Sequence, residues 1–220
     1  DNLQAIFDLL TQKNLCLMVG FNSRFAPLAQ KLKGFMTSVN EPKMVSYRVN
    51  AGALPANHWL HDPQRGGGRL LGEACHFIDF VTFLVGESPV SLDVSALPGQ
   101  GSFPPDNFSL RLVYPDGSIG VVNYLANGDR SFPKEYCEVF SGGKIGILDD
   151  FHHLTLVNQG KKQVHRSKME KGQLNAWQAF TSAITSGSEP PIPYPEIWST
   201  SQAAILASQA PTNGEKVFLQ

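Results

Sequence analysis

The sequence lacks the features that mark several large classes of protein. It has no excess of charge of one sign, because 18 lysine and arginine residues face 19 aspartate and glutamate residues, for a formal net charge of −1. Phosphate backbones are normally bound by a clustered basic excess, so we expect no nucleic acid partner. No apolar run reaches the roughly 20 residues of a membrane span, and no basic and apolar leader opens the chain. We therefore expect a cytoplasmic protein with no membrane partner.

Cysteine is scarce as well, with only Cys16, Cys75 and Cys137 in 220 residues. The number is odd and the spacings are long, which excludes a disulfide framework and the short cysteine pairs of a zinc site. Each cysteine lies in an apolar run, as is typical of small buried side chains in a reducing compartment. We predict no metal site.

A dinucleotide-binding fingerprint is also missing. The three consecutive glycines at 66–68 follow a loop rather than a strand, and they lack the G-x-G-x-x-G spacing that places a pyrophosphate at a helix N-terminus. They still allow a ligand or another backbone to approach closely, since no Cβ stands in the way. We expect no NAD(P) to be bound by this chain alone.

The chain opens with an amphipathic pattern that is followed by an apolar run. Leu3, Ile6, Phe7 and Leu10 have helical spacing, and residues 15–21 form a short continuous apolar stretch. A helix that leads into a buried strand is typical of the closing unit of a parallel α/β sheet. Because the helical pattern starts at once, with no capping run before it, we expect the sequence to be a fragment whose upstream part has been removed.

The remaining sequence predicts an α+β fold. We expect a helix over 26–36, a strand over 43–50, a long loop over 51–68, a helix that ends near residue 85, and two final helices over 170–186 and 195–209. Short apolar runs between turn residues predict further strands at 92–97, 108–114, 119–125, 135–140, 145–148 and 154–157. Neighbouring hairpins form a mainly antiparallel sheet, and the lysine-rich stretch 160–168 is typical of a solvated edge strand.

The helix predicted over 70–85 has two distinct faces. The first face carries the core stripe, which consists of Leu70, Ala74, Phe77, Ile78, Val81, Leu84 and Val85. The opposite face carries Gly72, Cys75, His76, Asp79 and Phe83. A face that met only water would carry lysine and glutamate instead. The second face is therefore expected to meet another layer or a cleft.

His76 is the candidate proton-transfer residue of this second face. Its imidazole ordinarily titrates near neutral pH, and Glu73, three residues earlier, can orient it or share its proton. The alternative is a histidine that is hydrogen-bonded to a backbone carbonyl at a domain junction, and both interpretations stay open. Trp59 in the preceding loop is equally open as a stacking surface for a sugar or as part of the core.

Three segments resemble motifs of the glucose-fructose oxidoreductase / inositol dehydrogenase (Gfo/Idh/MocA) family. Residues 18–27, MVGFNSRFAP, resemble its VGYNRRFxP. Residues 66–79, GGGRLLGEACHFID, resemble its GGGxLxDxGxHxxD, and residues 134–151, KEYCEVFSGGKIGILDDF, resemble its KExxEVxGxxGxxxxDDF. The matches occur in the family's order and span most of the chain. Gly72 departs from the pattern, because it stands where the family has aspartate, and Glu73 is the candidate substitute.

The resemblance implies an organisation in two parts. Residues 1–24 would be the last helix and strand of a Rossmann domain that holds NAD or NADP in the full-length protein. Residues 25–220 would be the substrate-binding and oligomerisation domain, a predominantly antiparallel open sheet with helices on one face. The uncovered face of such a sheet exposes apolar strand residues, which predicts homo-oligomers that pair through it.

The implied function is that of the substrate-binding and oligomerisation portion of an NAD(P)-dependent oxidoreductase acting on a sugar, polyol or related hydroxy compound. The predicted catalytic residues are His76 and Glu73. Asn22 and Arg24, which follow the last Rossmann strand, are predicted to contact the cofactor. The candidates for substrate contact are Tyr47, Trp59 and Arg65. This chain alone would be inactive. The alternative is a non-catalytic dimerisation or binding module derived from such an enzyme.

Overall fold

A nine-stranded sheet forms the centre of the structure, a computed structural model that describes residues 2–62, 64–98 and 106–219. Its strands are β1 (Met44–Asn50), β2 (Ser91–Ala96), β3 (Phe108–Val113), β4 (Ile119–Leu125), β5 (Glu135–Ser141), β6 (Lys144–Asp149), β7 (His153–Asn158), β8 (Lys161–Arg166) and β9 (Val217–Phe218). They lie in the order β8-β7-β6-β5-β1-β4-β3-β2-β9. All neighbouring pairs are antiparallel except β1 with β4. The sheet is thus mainly antiparallel, and the lysine-rich stretch forms an edge strand, as predicted.

Within the described residues, six α-helices accompany the sheet. They are α1 (Asn2–Lys13), α2 (Pro27–Thr37), α3 (Gly68–Gly72), α4 (Ala74–Val85), α5 (Gln173–Ser186) and α6 (Tyr194–Gln209). Two strand glycines let α4 and α2 approach one face of the sheet. A Cβ at Gly120 would lie 2.3 Å from Val81 Cγ1, and one at Gly146 would lie 2.2 Å from Leu32 Cδ1. The predicted α+β fold with helices packed on one face is confirmed. Within the described ranges, no helix has the length and apolarity needed to cross a membrane.

The other face of the sheet carries a row of apolar side chains. In β1, Val45, Tyr47 and Val49 point into the core, so the alternate residues point away from the helices. Strand register places six outward apolar residues side by side across neighbouring strands: Val113, Ile119, Met44, Phe140, Ile145 and Val157. Met44 and Phe140 are 47% and 42% exposed. We call these six residues the apolar row.

Residues 15–21 do not form the predicted strand. A buried parallel strand is stabilised by hydrogen bonds to strands on both sides, and no described strand lies next to this segment. Tyr194 takes the place of a neighbour. Its hydroxyl accepts from the Leu17 N–H at 3.2 Å and donates to the Leu15 carbonyl at 2.5 Å. Because the segment is not enclosed, Cys16 is exposed rather than buried.

The helix predicted over 70–85 is broken at Glu73, whose backbone angles are φ −127° and ψ −38°. Two glycines explain the local packing. A Cβ at Gly66 would lie 2.4 Å from the Cα of Leu60, and a Cβ at Gly72 would lie 2.4 Å from Leu60 Cδ1. Gly66 therefore lets the loop fold closely onto its own Leu60, and Gly72 lets Leu60 pack against the start of the helical segment. The predicted core stripe of this segment is buried throughout.

Candidate functional site

A cleft of about 680 Å³ opens beside the break between α3 and α4. Its walls come from the end of β1 and the following loop, from α3, from the loop before β5, and from the turn between β6 and β7. The charged and amide side chains that line it are Asn50, Arg69, Glu73, Arg130, Lys134 and Asp150. Small-molecule sites typically have volumes of roughly 300–1,000 Å³. The cleft is therefore the candidate substrate site.

Glu73 lies at this cleft within a hydrogen-bonded network. Arg69, which is 2% exposed, donates from Nη1 to Glu73 Oε1 at 3.1 Å and to the Tyr124 hydroxyl at 2.7 Å. The Tyr124 hydroxyl in turn donates to the other Glu73 oxygen. Burial, and then the adjacent Glu73 carboxylate, raise the pKa of Tyr124 far above its usual value. Both oxygens of Glu73 are thus engaged by Arg69 and Tyr124 rather than by His76.

His76 lies in α4, half-buried, with its ring edge-on to Phe21 at 5.9 Å between centroids. Burial lowers the pKa of His76 below its usual value, while the carboxylates of Glu135 and Glu73 raise it and Lys134 lowers it. Glu73, three residues before His76, and Lys134 line the cleft, whereas His76 itself does not. No side-chain hydrogen bond to His76 occurs among the described residues. A neutral imidazole without a protein partner can accept a proton from a bound hydroxyl group.

Asn22 follows Phe21 in a 3₁₀ turn, Asn22–Phe25, that precedes α2. Its amide nitrogen donates to the Lys171 carbonyl at 2.6 Å. Phe21, Asn22 and Lys171 therefore surround the same end of α4 as His76. The structure brings the predicted residues Asn22, Glu73 and His76 into one region.

Arg24 comes from the same turn, but its guanidinium points into the protein. It donates to both Asp79 oxygens, at 3.0 and 2.5 Å, and to Glu196 at 2.6 Å. Burial raises the pKa of Asp79 to about 6, against the lowering effect of Arg24. Arg24 thus joins the turn to α4 and α6, and a guanidinium held in this way does not fit a cofactor phosphate. The second face of the predicted helix, which carries Asp79, therefore contacts another part of the protein, as expected.

Tyr47 is fully buried in β1, behind the site. Its hydroxyl donates to Glu135 Oε2 at 2.5 Å, and the other Glu135 oxygen lies 2.5 Å from Lys171 Nζ. Burial, followed by the charge of Glu135, raises the pKa of Tyr47 well above its usual value. Tyr47 therefore orients Glu135, whose charge reaches His76.

Trp59 and Arg65 lie on the loop before α3 and do not line the cleft. Trp59 is 52% exposed, and its ring lies 5.8 Å from that of His58. Arg65 is exposed in a turn. The structure does not bring these two side chains together with His76, and their role in substrate contact stays a prediction.

The sequence did not predict that the loop before β5 and the turn after β6 would line the cleft. Asp150 has a φ of +42°, which non-glycine residues seldom adopt. Its carboxylate accepts from the backbone N–H groups of Lys134 and Glu135 at 3.0 and 2.7 Å. Asp150 thus fixes the position of Lys134 at the cleft. The motif at 134–151 contained these residues, but only the fold pairs its two ends. In the part of the chain that the structure describes, no group of three histidine, cysteine or acidic side chains is arranged to hold a metal ion.

Solved structures of several oxidoreductases share this fold. An aldose-aldose oxidoreductase from Caulobacter crescentus complexed with glycerol has a TM-score of 0.83 at 16% identity, over 99% of this chain and 68% of that chain. A levoglucosan dehydrogenase in complex with NADH and levoglucosan has a TM-score of 0.81 at 16% identity, over 98% and 69%. An oxidoreductase from Agrobacterium radiobacter in complex with NAD⁺, L-tartaric acid and magnesium has a TM-score of 0.78 at 16% identity, over 98% and 68%. At such identities the likeness shows the fold alone.

Comparison of the sequence with known proteins and with family models adds to this likeness of fold. No curated protein matches the chain significantly. A family model described as the GFO/IDH/MocA C-terminal domain matches residues 38–140, which hold β1 to β4, most of β5 and the helical segment of Glu73 and His76. The match agrees with the motifs in the sequence and with the fold. Over these residues, the chain matches the C-terminal domain of the Gfo/Idh/MocA oxidoreductase family.

Proposed function

We propose that this chain is the substrate-binding and oligomerisation portion of an NAD(P)-dependent oxidoreductase acting on a sugar, polyol or related hydroxy compound. One observation carries the proposal: the half-buried His76 imidazole, which has no hydrogen bond to the described residues, follows by three residues Glu73, which lines the cleft together with Lys134. Complexes of similar folds with glycerol and with levoglucosan support a hydroxylated substrate.

In this proposal the cleft binds the substrate and His76 moves the proton. A nicotinamide, when bound, accepts or supplies the hydride. The lowered pKa of His76 keeps its ring neutral at physiological pH, so that it can take the proton of the hydroxyl group that is oxidised. Glu73 acts through Arg69 and Tyr124 to shape the cleft wall, rather than by sharing the His76 proton.

The cofactor would be held mainly outside this chain. Asn22 lies near His76 and can approach a nicotinamide, whereas Arg24 is engaged by Asp79 and Glu196. We propose that residues 1–24 belong to a Rossmann domain whose other strands would cover residues 15–21. The cytoplasmic location also stays a prediction.

We propose that homo-oligomers form through the apolar row. Exposed apolar surface that is contiguous over several strands is typical of interaction surfaces. In the described residues, no helix covers this face of the sheet. A second copy would shield Met44 and Phe140 from water.

A non-catalytic binding module is the second candidate function. The observation in its favour is that Glu73 is fully engaged by Arg69 and Tyr124, and that glycine occupies position 72, where the family motif has an acidic residue. Such a module would bind ligands in the cleft but would give no turnover when joined to a nucleotide-binding domain.

The test follows the His76 imidazole by NMR while the chain is titrated with sorbitol, myo-inositol and glycerol. We expect at least one polyol to shift the imidazole signal in a saturable manner, with His76→Asn identifying the signal by its loss. If no sugar or polyol moves the signal, the proposal is wrong. Reduction of NAD(P) by a protein that joins this chain to a nucleotide-binding domain then separates the enzyme from the binding module.

A further inference from the structure

The acidic side chains of the cleft are already hydrogen-bonded within the protein. Glu73 accepts from Arg69 and Tyr124. Asp150 accepts from two backbone N–H groups, at 2.7 and 3.0 Å. These donors hold both carboxylates in place, and Glu73 is ion-paired with Arg69. Three basic side chains, Arg69, Arg130 and Lys134, thus line the cleft with two carboxylates.

Two basic side chains of the same cleft have no acidic partner among the described residues. Lys134 is exposed, and its ammonium group makes no hydrogen bond or ion pair with the rest of the described chain. Arg130 donates to the Ala53 carbonyl and forms no ion pair with the described residues. Arg69, by contrast, is paired with Glu73 at 3.1 Å and lies 3.8 Å from Asp106. The cleft therefore has a local positive excess, in a chain whose formal net charge is −1.

The segment that carries these two cations is held in place. The Asn50 side chain donates to the carbonyls of Asp129 and Phe132, at 2.7 and 3.2 Å. Arg48 donates to the Pro133 carbonyl at 2.7 Å. On the opposite wall, Gly52 has a φ of +71°, and a Cβ there would lie 2.5 Å from Arg130 Nε. Arg130 thus lies against a backbone position that only glycine allows.

We propose that this cleft binds a hydroxylated substrate through an anionic group, which Arg130 and Lys134 hold. The substrate class is a sugar carboxylate or a sugar phosphate, and a neutral sugar is the poorer ligand. A guanidinium and an ammonium group recognise both anions by charge-assisted hydrogen bonds. The inference rests on the proposed function, because it names the substrate class of the same site.

The test compares gluconate, glucose 6-phosphate and sorbitol as ligands of the 220-residue chain by isothermal titration calorimetry. Gluconate and sorbitol have the same number of carbon atoms, and only gluconate carries a charge. We expect one of the two anions to bind at least about tenfold more tightly than sorbitol, because a hydrogen bond to a charged group contributes more than a neutral one. The anion that binds more tightly distinguishes carboxylate from phosphate. The preference should weaken as salt is added.

Variants test whether the anionic group binds at Arg130 and Lys134. Arg130→Gln and Lys134→Gln should each weaken anion binding by about tenfold while leaving sorbitol binding unchanged. Lys161→Gln on the edge strand β8 removes the same charge outside the cleft and is the matched control. Thermal melts show whether each variant is folded.

Several results would overturn the inference. Equal binding of sorbitol and both anions would remove the anion preference and leave the proposed function intact. If Lys134→Gln, Arg130→Gln and Lys161→Gln weaken anion binding equally, the anion does not bind at Arg130 and Lys134. Inorganic phosphate that binds as tightly as either anionic sugar would show a site for anions alone. If none of the three sugars binds, the proposed function fails as well.

Discussion

The buried ion pair between Arg24 and Asp79 permits the sharpest test of how the site is assembled. Arg24 is 5% exposed and Asp79 is fully buried, and two hydrogen bonds join them. Glu196 adds a third, from a side chain that is 38% exposed. The perturbation is a double-mutant cycle made of Arg24→Met, Asp79→Leu and the combined variant, which replace the charges with apolar groups.

Removal of Arg24 leaves Asp79 without a partner in the interior, and removal of Asp79 leaves the buried Arg24 with only the half-exposed Glu196. Such single changes typically cost about 3–5 kcal/mol in the free energy of unfolding, whereas replacing both partners costs far less. We therefore expect two strongly destabilised single variants and a double variant that recovers most of the loss. The coupling free energy should be about 3 kcal/mol or more.

The pH dependence has a defined sign. Burial raises the pKa of Asp79 in the folded state to about 6, from the ordinary value of 3.8. The folded state therefore holds this proton more tightly than the unfolded state does. The contribution of Asp79 to stability is fully present below about pH 4 and is lost as the pH rises through 6. Asp79→Leu should remove this decrease in the free energy of unfolding with rising pH.

Urea denaturation, followed by circular dichroism between pH 4 and pH 8, measures both effects. Losses that simply add in the double variant would refute the reasoning, because Arg24 and Asp79 would then not be coupled. A loss below about 1 kcal/mol for Arg24→Met would place it in the range of an exposed ion pair. Arg24 would then be available to the cofactor, as the sequence alone predicted.

Three further predictions concern the site, the loop that bounds it and the sheet face. In a protein that joins this chain to a nucleotide-binding domain, His76→Asn should lower kcat by about 10²–10⁴-fold with little change in KM; an unchanged kcat with a lower Tm would indicate a structural histidine. Gly66→Ala should lower the free energy of unfolding by about 1–3 kcal/mol, since its Cβ would meet Leu60 at 2.4 Å. The control Gly34→Ala, with no atom within 4 Å, should raise it by about 1 kcal/mol in chemical denaturation, and a loss of similar size in both variants would contradict the clash. Phe140→Lys should shift the chain toward monomer in light scattering, and a wild type that is already monomeric at high concentration would disprove pairing through the apolar row.

The strands were predictable because their signal is local. In β1, the buried residues Val45, Tyr47 and Val49 alternate with the polar residues Ser46 and Arg48, and a strand with one buried face requires that period. The lysines of β8 likewise predicted a solvent-exposed strand at the edge of the sheet. The parallel pairing of β1 with β4 was not predictable, because it joins segments that are separated by two helices and two strands.

Two predicted elements failed for one reason. The run at 15–21 has the composition of a buried strand, yet a strand forms only where neighbouring strands complete its hydrogen bonds. The pattern at 70–85 is helical throughout, yet Leu60 of the preceding loop packs against Gly72, and the helix breaks at Glu73. In both cases the deciding contact comes from residues outside the segment itself.

The sequence by itself indicated the family, the fold class and His76 as the candidate proton-transfer residue, because motifs and periodicity are properties of short segments. Tertiary structure decided what each candidate side chain does. It engaged Glu73 with Tyr124, paired Arg24 with Asp79, and left Lys134 without an acidic partner at the cleft. The charge and hydrogen-bonding capacity of a residue can be read from its identity. Whether that capacity is available to a ligand depends on which distant groups the fold brings to it.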